Sequence, residues 1–161
     1  MELYLIRHAD AAPLGEGGIT KDEDRPLTPK GEEQARRLAS GLSGKGSVDV
    51  VLTSPLLRAR QTAEGMLQAW PRPSPELRVC EELAPGGKRR KLSRFVRQLG
   101  FNRLALVGHQ PDLDTFAAWL IGKTKAQIEI AKAGVAFIRC EEGPNKGDGT
   151  LLWLVTPEWF S

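Results

Sequence analysis

Hydrophobic residues fall along the chain in two kinds of pattern, short continuous runs and longer stretches with helical spacing. The continuous runs predict strands, which lie at residues 2–7, 48–53, 77–79, 104–107, 135–140 and 151–156. The run at 77–79 is short and predicts an edge strand. Glycines between Gly143 and Gly149 predict a hairpin that joins the last two strands.

Stretches with helical spacing lie between these strands. They predict four helices, which begin at Thr28-Pro29, at Ser54-Pro55, at Lys88 and directly after Gly108-His109. Serine and threonine are favoured N-caps, and proline is favoured at the first helical position. A glycine- and acid-rich segment at residues 14–25 predicts a loop between the first strand and the first helix.

Strands and helices alternate through residue 121, and this order predicts an α/β fold. We expect a three-layer α/β/α sandwich in which a mostly parallel central sheet carries helices on both faces. The chain has 161 residues, which fits a single domain over residues 1–161.

Composition and charge narrow the possible functions only slightly. Hydrophobic residues make up 40% of the chain and charged residues 27%, and the net charge is +3. This mild basicity suits an anionic substrate or a nucleic acid. Cys80 and Cys140 lie far apart, which predicts neither a disulfide framework nor a zinc site. The first apolar run is too short for a signal peptide or a membrane span, so we expect a cytoplasmic protein without membrane contact.

Three predicted strands end in residues that suit chemistry. The first ends in Arg7-His8, the second runs into Ser54-Pro55 with Arg58 one turn later, and the third ends in Gly108-His109. Taken singly, each has a structural explanation, as a helix cap or a solvated charge. However, the chain has only two histidines, and both follow strand ends. Because sites in open α/β sheets gather at the carboxyl ends of parallel strands, we expect these side chains to meet.

Such a cluster suits phosphoryl transfer. Arginine forks match phosphoryl oxygens, and a neutral imidazole is a competent nucleophile towards phosphorus. A second imidazole, if protonated, would stabilise the transferred group, and backbone N–H groups after His109 would add donors. A zinc site built from the histidines with Asp10 or Asp112 is a weaker interpretation, because the arginines would repel the metal. We therefore expect neither a metal nor an organic cofactor.

Several ordered sequence blocks resemble the histidine phosphatase superfamily, which includes the phosphoglycerate mutases. The blocks are Arg7-His8-Ala9-Asp10-Ala11, Arg25-Pro26-Leu27-Thr28, Ser54-Pro55-Leu56-Leu57-Arg58-Ala59-Arg60-Gln61-Thr62, Glu82-Leu83-Ala84-Pro85-Gly86 and Gly108-His109-Gln110-Pro111. They are similar to the SixA-like branch of phosphohistidine phosphatases, and the short chain fits that branch. The resemblance implies a phosphoglycerate mutase-like fold.

The resemblance also implies roles for single residues. His8 matches the nucleophile, Arg7 and Arg58 match the phosphate-binding arginines, and His109 matches the second core histidine, with Gln110 beside it as a further candidate for substrate binding. Ala9 replaces the usual glycine, which is tolerable unless that position needs a positive φ.

A general acid is harder to assign from the sequence. Glu82 is the first candidate, and Glu81 and Asp10 are alternatives, although a solvated loop charge explains Glu81 and Glu82 equally well. A phosphohistidine substrate would release imidazole, whose conjugate acid has a pKa of roughly 6.5, so this leaving group needs little help from an acid.

The basic stretch from Lys88 to Arg97 raises the question of nucleic-acid binding. Phe95 is its only aromatic residue and falls on the apolar face of the predicted helix, so we expect a solvated helix face and no nucleic-acid partner. A further hypothesis is that this face guides an acidic phosphoprotein to the site.

The sequence thus predicts a phosphatase that forms a phosphohistidine on His8 and acts on phosphohistidine in a protein. A small-molecule phosphomonoesterase and a phosphate- or phosphopeptide-binding module without turnover are the alternatives. A mutase fits less well, because 161 residues leave little room for the insertions that enclose a sugar phosphate.

Overall fold

The continuous apolar runs form the six strands of one mixed sheet in the computed structural model, which describes residues 1–160. The strands are β1 (Glu2–Arg7), β2 (Val50–Thr53), β3 (Glu76–Val79), β4 (Arg103–Gly108), β5 (Val135–Cys140) and β6 (Gly149–Val155). Their order across the sheet is β3-β2-β4-β1-β5-β6. Ser161, the last residue of the predicted domain, lies outside the described residues.

The first four strands run parallel to one another, whereas β5 runs antiparallel to β1 and β6 antiparallel to β5. The predicted, mostly parallel sheet is therefore confirmed, with an antiparallel hairpin at one edge. The register pairs Arg7 with Gly108 and Thr53 with Val107, so β1, β2 and β4 end at nearly the same level.

Four helices cover the two faces of this sheet. They are α1 (Pro29–Ser43), α2 (Leu57–Gln68), α3 (Arg89–Gln98) and α4 (Asp112–Leu120). Along β1, Tyr4 and Ile6 pack with α1 and α2, whereas Leu3 and Leu5 pack with α3 and α4. Because successive side chains of a strand point to opposite faces, one sheet supplies both cores and the three-layer fold follows.

The start of α1 agrees with the prediction from the sequence, whereas the start of α2 does not. Thr28 caps α1, since its side chain accepts a hydrogen bond from the backbone N–H of Gly31. The prediction that Ser54-Pro55 opens the second helix is wrong. That helix begins at Leu57, and its N-cap residue Leu56 makes no side-chain cap. Ser54 lies fully buried instead and is bonded elsewhere.

The segment between β1 and α1 contains two short 3-10 turns, Glu16–Gly18 and Asp22–Asp24. Otherwise it is loop, as predicted, and its ends are held together by an isolated bridge between Ala11 and Leu27. No helix within residues 1–160 is both long and apolar enough to cross a membrane.

Candidate active site

The carboxyl ends of β1, β2 and β4 bring the two histidines together. His8, Ser54 and His109 directly follow these strands, and backbone bonds from His8 N to Gly108 O and from Ser54 N to Val107 O extend the sheet to them. The centroids of the His8 and His109 rings are 5.3 Å apart. The expected meeting of the imidazoles is therefore observed.

Hydrogen bonds fix the orientation of the His8 ring. Its Nδ1 lies 2.8 Å from the carbonyl oxygen of Ala9, to which only a protonated nitrogen can donate. Its Nε2 lies 3.2 Å from Nε of Arg58, which donates an N–H to it. These bonds assign the proton to Nδ1 and a lone pair to Nε2, which is the form that a nucleophile requires.

Burial keeps both imidazoles neutral. Burial, followed by the charges of Arg58, Arg7 and Arg25, lowers the pKa of His8 to about 4, against a raising contribution from the Ala9 carbonyl. Burial and the charge of Arg58 lower the pKa of His109 to about 3. The sequence-based idea of a protonated second histidine is therefore not supported at neutral pH, because a buried imidazolium would lie beside arginines.

Ser54 holds His109 through its hydroxyl. The Oγ atom lies 2.7 Å from Nε2 of His109 and accepts a bond from the backbone N–H of Leu56 at 3.3 Å. If the hydroxyl proton goes to Nε2, the proton of neutral His109 resides on Nδ1. In that tautomer the buried Nδ1, which has no hydrogen-bond partner within residues 1–160, is a free donor of the kind that an anionic ligand takes up.

Arg58 is buried but is held by a residue from the loop before α1. Its Nη1 donates to the backbone oxygen of Asp22 at 2.8 Å, and its Nη2 lies 3.0 Å from the Asp22 carboxylate. Asp22 also pairs with Arg25 at 3.0 Å. Partial burial acts to raise the pKa of Asp22, but the hydrogen bonds from these two arginines lower it overall, so the carboxylate is charged.

Arg7 points towards the connection between α4 and β5. Its Nη1 donates to the carbonyl oxygen of Ile130 at 3.3 Å, and its buried Nε has no hydrogen-bond partner in the described part of the chain. A buried guanidinium N–H without a partner is costly, and a phosphoryl oxygen is a natural acceptor for it.

Asp114 links this connection to α4. Its carboxylate accepts bonds from the backbone N–H of Ile130 at 3.0 Å and from the side chain of Gln110 at 2.8 Å. Gln110, predicted to bind substrate, thus uses its amide N–H to hold Asp114. The sequence predicts backbone N–H donors at the helix start after His109, and the N–H of Leu113 is not one of them, because it bonds to His109 O.

Thr62 links α2 to Ala9, the residue after His8. Its hydroxyl accepts a bond from the backbone N–H of Ala9 at 3.0 Å and donates to Arg58 O at 2.7 Å. The only residue other than glycine with a positive φ between residues 1 and 160 is Ala133, at 55°. Alanine at position 9 is therefore unstrained, as expected.

The three candidate acids have different surroundings. Asp10 lies 2.8 Å from Nζ of Lys132 and accepts a bond from Thr28 at 2.7 Å, and these bonds lower its pKa. Such a carboxylate holds a proton poorly, which argues against a general acid at this position. Glu81 is exposed, whereas Glu82 is half-buried and faces the Cys80 thiol at 3.6 Å.

A cavity of about 410 Å³ lies beside His109. Glu82 and Leu83 form one wall, residues 88–92 a second, and His109 with the start of α4 a third. Glu82 and His109 therefore share one cavity, which His8 does not line. Within residues 1–160, no three His, Cys, Asp or Glu side chains are grouped closely enough to hold a metal ion.

Asp22, Arg25, Ser54 and Thr62 belong to the site but were not predicted as site residues. Arg25, Ser54 and Thr62 lie inside the sequence blocks that resemble the family, which was the available signal. Asp22 lies in a loop that has no periodic pattern, and nothing in the sequence distinguishes it from the neighbouring Glu23 and Asp24.

Comparisons with known proteins agree with this geometry. Residues 3–85 match the model of the histidine phosphatase superfamily, branch 1. An uncharacterized protein of Picosynechococcus sp. is 39% identical over 170 residues, which cover 99% of both chains. The phosphohistidine phosphatase SixA of Escherichia coli is 31% identical, over 98% of this chain and 94% of the relative.

A solved structure of the protein histidine phosphatase SixA complexed with tungstate has a TM-score of 0.85 and 29% identity, and the match covers 100% of both chains. The likeness thus includes the whole sheet, all four helices and the strand ends that carry the histidines. By sequence and by fold, this chain belongs to the histidine phosphatase superfamily and is a SixA-like member of it.

Proposed function

We propose that the protein is a phosphatase that transfers a phosphoryl group to Nε2 of His8 and then to water. The observation that carries this proposal is the hydrogen bonding of His8, whose Nδ1 donates to a backbone oxygen while Nε2 accepts from Arg58. This leaves a neutral nucleophile with its lone pair directed to a buried cation, where the oxygens of a phosphoryl group would bind.

The reaction has two displacements at phosphorus. In the first, the lone pair of His8 Nε2 forms an N–P bond while the bond from phosphorus to the leaving group breaks, and the leaving atom keeps the electron pair. In the second, a water oxygen attacks phosphorus, the N–P bond breaks and its electrons return to Nε2. The water loses a proton to the solvent, which balances the proton that the leaving atom takes up, and free phosphate leaves.

The residues around His8 supply charge stabilisation. Arg58 and Arg7 would donate to the phosphoryl oxygens. Arg7 Nε and His109 Nδ1 would each gain a hydrogen bond that they lack in the described part of the chain. Arg58 would have to exchange the Asp22 carboxylate for a phosphoryl oxygen. Both anions accept the same guanidinium fork, so the exchange needs little rearrangement.

We propose phosphohistidine on a protein as the substrate. One named relative, matched over 94% of its own length, is a phosphohistidine phosphatase, which supports this choice. The acids support it as well, since Asp10 is held ionised and Glu81 is exposed, which leaves the half-buried Glu82 as the remaining candidate. An imidazole leaving group has a conjugate-acid pKa of about 6.5 and leaves readily, so Glu82 would assist without being essential.

A small-molecule phosphomonoester is the second candidate, and the cavity favours it. Its volume of about 410 Å³ lies within the range that holds small ligands in other proteins. An alkoxide leaving group would need a proton, and in that case Glu82 would be the catalytic acid. We also keep the predictions of a cofactor-independent reaction and of a cytoplasmic location, which the two free cysteines suit.

The test is rapid-quench trapping of the enzyme during turnover of a ³²P-labelled phosphohistidine protein. Wild type should carry an acid-labile, base-stable label, and His8→Ala should carry none and lose activity by about three orders of magnitude or more. The matched control is His109→Ala, which removes the chain's other imidazole. It should slow turnover and still accept label on His8.

Two results would reject the proposal. Label of equal amount on His8→Ala would place the nucleophile elsewhere, and tight binding of phosphoprotein without turnover by wild type would make the chain a binding module. Comparison of turnover on the phosphohistidine protein with turnover on an aryl phosphate decides between the two substrate classes.

A further inference from the structure

Helix α3 presents a strongly basic surface next to the site. We call Lys88, Arg89, Arg90, Lys91 and Arg94 the α3 basic face. These residues are exposed, and residues 88–98 contain no acidic side chain. The apolar side of the same helix is occupied, since Leu92, Phe95 and Val96 pack into the core. The basic face is therefore the free side of a firmly anchored helix.

The arginines of this face differ from all others within residues 1–160. The side chains of Arg89, Arg90 and Arg94 make no hydrogen bond and no ion pair. Every other arginine side chain has at least one such partner, including those of the exposed Arg36, Arg37 and Arg60. Arginines in a mixed-charge surface normally find a carboxylate within reach. An unneutralised group of three indicates a positive potential that is open to a partner.

The position of these charges within α3 increases that potential. Lys88 is the N-cap residue, and the first helical turn has no acidic residue. The amino end of a helix already carries partial positive charge, so acidic residues are favoured there and basic ones are disfavoured by about 0.3–1 kcal/mol each. The sequence thus places cations where they reduce the stability of the helix, which suggests that they serve a ligand.

The α3 basic face continues into the site. Lys88, Arg89, Arg90 and Lys91 line the 410 Å³ cavity that His109 also lines. His109 is 4% exposed, and its Nδ1 is the unpartnered donor described above. An anionic partner that reaches His109 through this cavity must therefore pass along the basic residues.

We propose that the α3 basic face docks an acidic protein surface that surrounds the phosphorylated side chain of the substrate. This rests on the proposed function and specifies its substrate: a phosphoprotein with carboxylates near the phosphorylated residue. Charge complementarity carries the argument, because the face offers unpaired guanidinium forks that bind carboxylates in bidentate fashion. A nucleic acid fits less well, since the one aromatic ring of α3, Phe95, is packed into the core and no base can stack on it.

The test compares wild type with R89E/R90E on two substrates. The first is a purified acidic phosphotransfer domain phosphorylated on histidine, and the second is p-nitrophenyl phosphate. At about 50 mM salt, R89E/R90E should lose about tenfold or more in kcat/KM on the domain, mainly through KM. Its loss on p-nitrophenyl phosphate should be at least about fivefold smaller, because this small anion senses the nearby change of charge but has no acidic surface to dock. At about 0.5 M salt the difference on the domain should shrink, because screening weakens surface charges.

The matched control is K123E/K125E, which makes the same change of net charge at exposed lysines beyond the far end of α4. It should stay within about twofold of wild type on both substrates. Equal loss by R89E/R90E on the two substrates would overturn the proposal, as would an unchanged rate on the domain. Loss of nucleic-acid binding in R89E/R90E with full turnover of the domain would assign the face to nucleic acid instead.

A binding measurement separates docking from chemistry. Fluorescence anisotropy of the labelled, phosphorylated domain should give a Kd about tenfold weaker for R89E/R90E than for K123E/K125E, each in a His8→Ala background that cannot react. This result does not depend on whether His8 is the nucleophile. Equal Kd values would reject the docking surface, whereas absence of label on wild-type His8 would reject the proposed function.

Discussion

The imidazoles of His8 and His109 are buried near arginines, and this placement determines how the stability of the protein responds to acid. His8 and His109 are 6% and 4% exposed. In the unfolded chain both would titrate near 6.5, whereas in the folded protein their pKa values are lowered to about 4 and about 3. The unfolded state therefore binds protons at a higher pH than the folded state does.

We predict that stability falls as the pH is lowered through this window. The contribution of the neutral histidines is fully present above about pH 6.5 and is lost as the pH falls towards the folded pKa values. One pKa unit corresponds to about 1.4 kcal/mol, so each histidine should lower the free energy of unfolding by about 2 kcal/mol between pH 7.5 and pH 5. Urea unfolding at the two pH values measures the sum.

His109→Gln provides the control, because it removes one of the chain's two histidines. The difference between the two pH values should fall by about half, whatever the variant costs in absolute stability. Wild-type stability that is equal at pH 5 and pH 7.5 would contradict the assigned burial of the imidazoles.

Single residues also show where sequence reasoning works and where it stops. His8, His109, Arg7 and Arg58 could be predicted to meet because each follows a strand or opens a helix, so the topology alone brings them together. Asp22 could not, since its contact with Arg58 depends on how the loop folds back over the sheet edge. Ser54 was assigned to a helix cap because the same hydroxyl chemistry that caps a helix also orients an imidazole.

Helix α2 is the element that connects Arg58 to the segment that follows His8. It carries Arg58 in its first turn and Thr62 one turn later, on the same buried side. The i, i+4 spacing lets Thr62 bond to Arg58 O and still accept the N–H of Ala9 from the neighbouring segment. The same helical turn thus fixes the position of the Arg58 side chain and, through Thr62, the position of the backbone at Ala9.

We predict that Thr62→Val lowers stability by about 1–3 kcal/mol, although valine has nearly the same shape. The change leaves the buried N–H of Ala9 without an acceptor, and that lost bond sets the cost. The control is Thr115→Val on α4, where an exposed hydroxyl bonds only to Asp112 O within its own helix. Chemical denaturation should show a change within about 0.5 kcal/mol for this control. An equal loss of stability in the two variants would contradict the assignment of the cost to the bond between Thr62 and Ala9.

The boundaries of elements were less predictable than their existence. All six strands and four helices were expected, because the helical spacing of apolar residues and the continuous apolar runs both follow from which side chains are buried. The start of α2 moved to Leu57 because tertiary bonding of Ser54 to His109 prevails over its preference for capping. Similarly, β6 begins at Gly149, which had been placed in the hairpin, since pairing with Cys140 extends the ladder.

At the scale of the whole molecule, the two cores cannot be separated. Every parallel strand with buried residues contributes side chains to both, as Leu104 and Ala105 of β4 do on opposite faces. Loss of one core would expose one whole face of the sheet that the other core needs. We therefore propose that the chain is one cooperative domain, as its length indicated.

A substitution in one layer should then shift the unfolding reported from the other. Trp119 packs in the α3–α4 layer, and Trp70 and Trp153 lie on the α1–α2 side. We predict that Trp119→Phe lowers the free energy of unfolding by about 1 kcal/mol. Circular dichroism and the fluorescence of the remaining tryptophans should show the same lowered urea midpoint. A fluorescence midpoint that stays at the wild-type value while circular dichroism shifts would indicate two separate units.

The carboxylate of Asp22 on Arg58 bears on the end of the catalytic cycle. In the proposed reaction, inorganic phosphate would remain bound to the Arg58 guanidinium after hydrolysis, and the Asp22 carboxylate of the same chain would compete with it for that cation. Because the competitor is part of the chain, its local concentration does not fall on dilution. Asp22 would help to eject the product and make free phosphate a weak inhibitor. A macromolecular substrate, anchored by contacts elsewhere, would still displace it, so the enzyme would favour large phosphorylated partners over the abundant small anions of the cell.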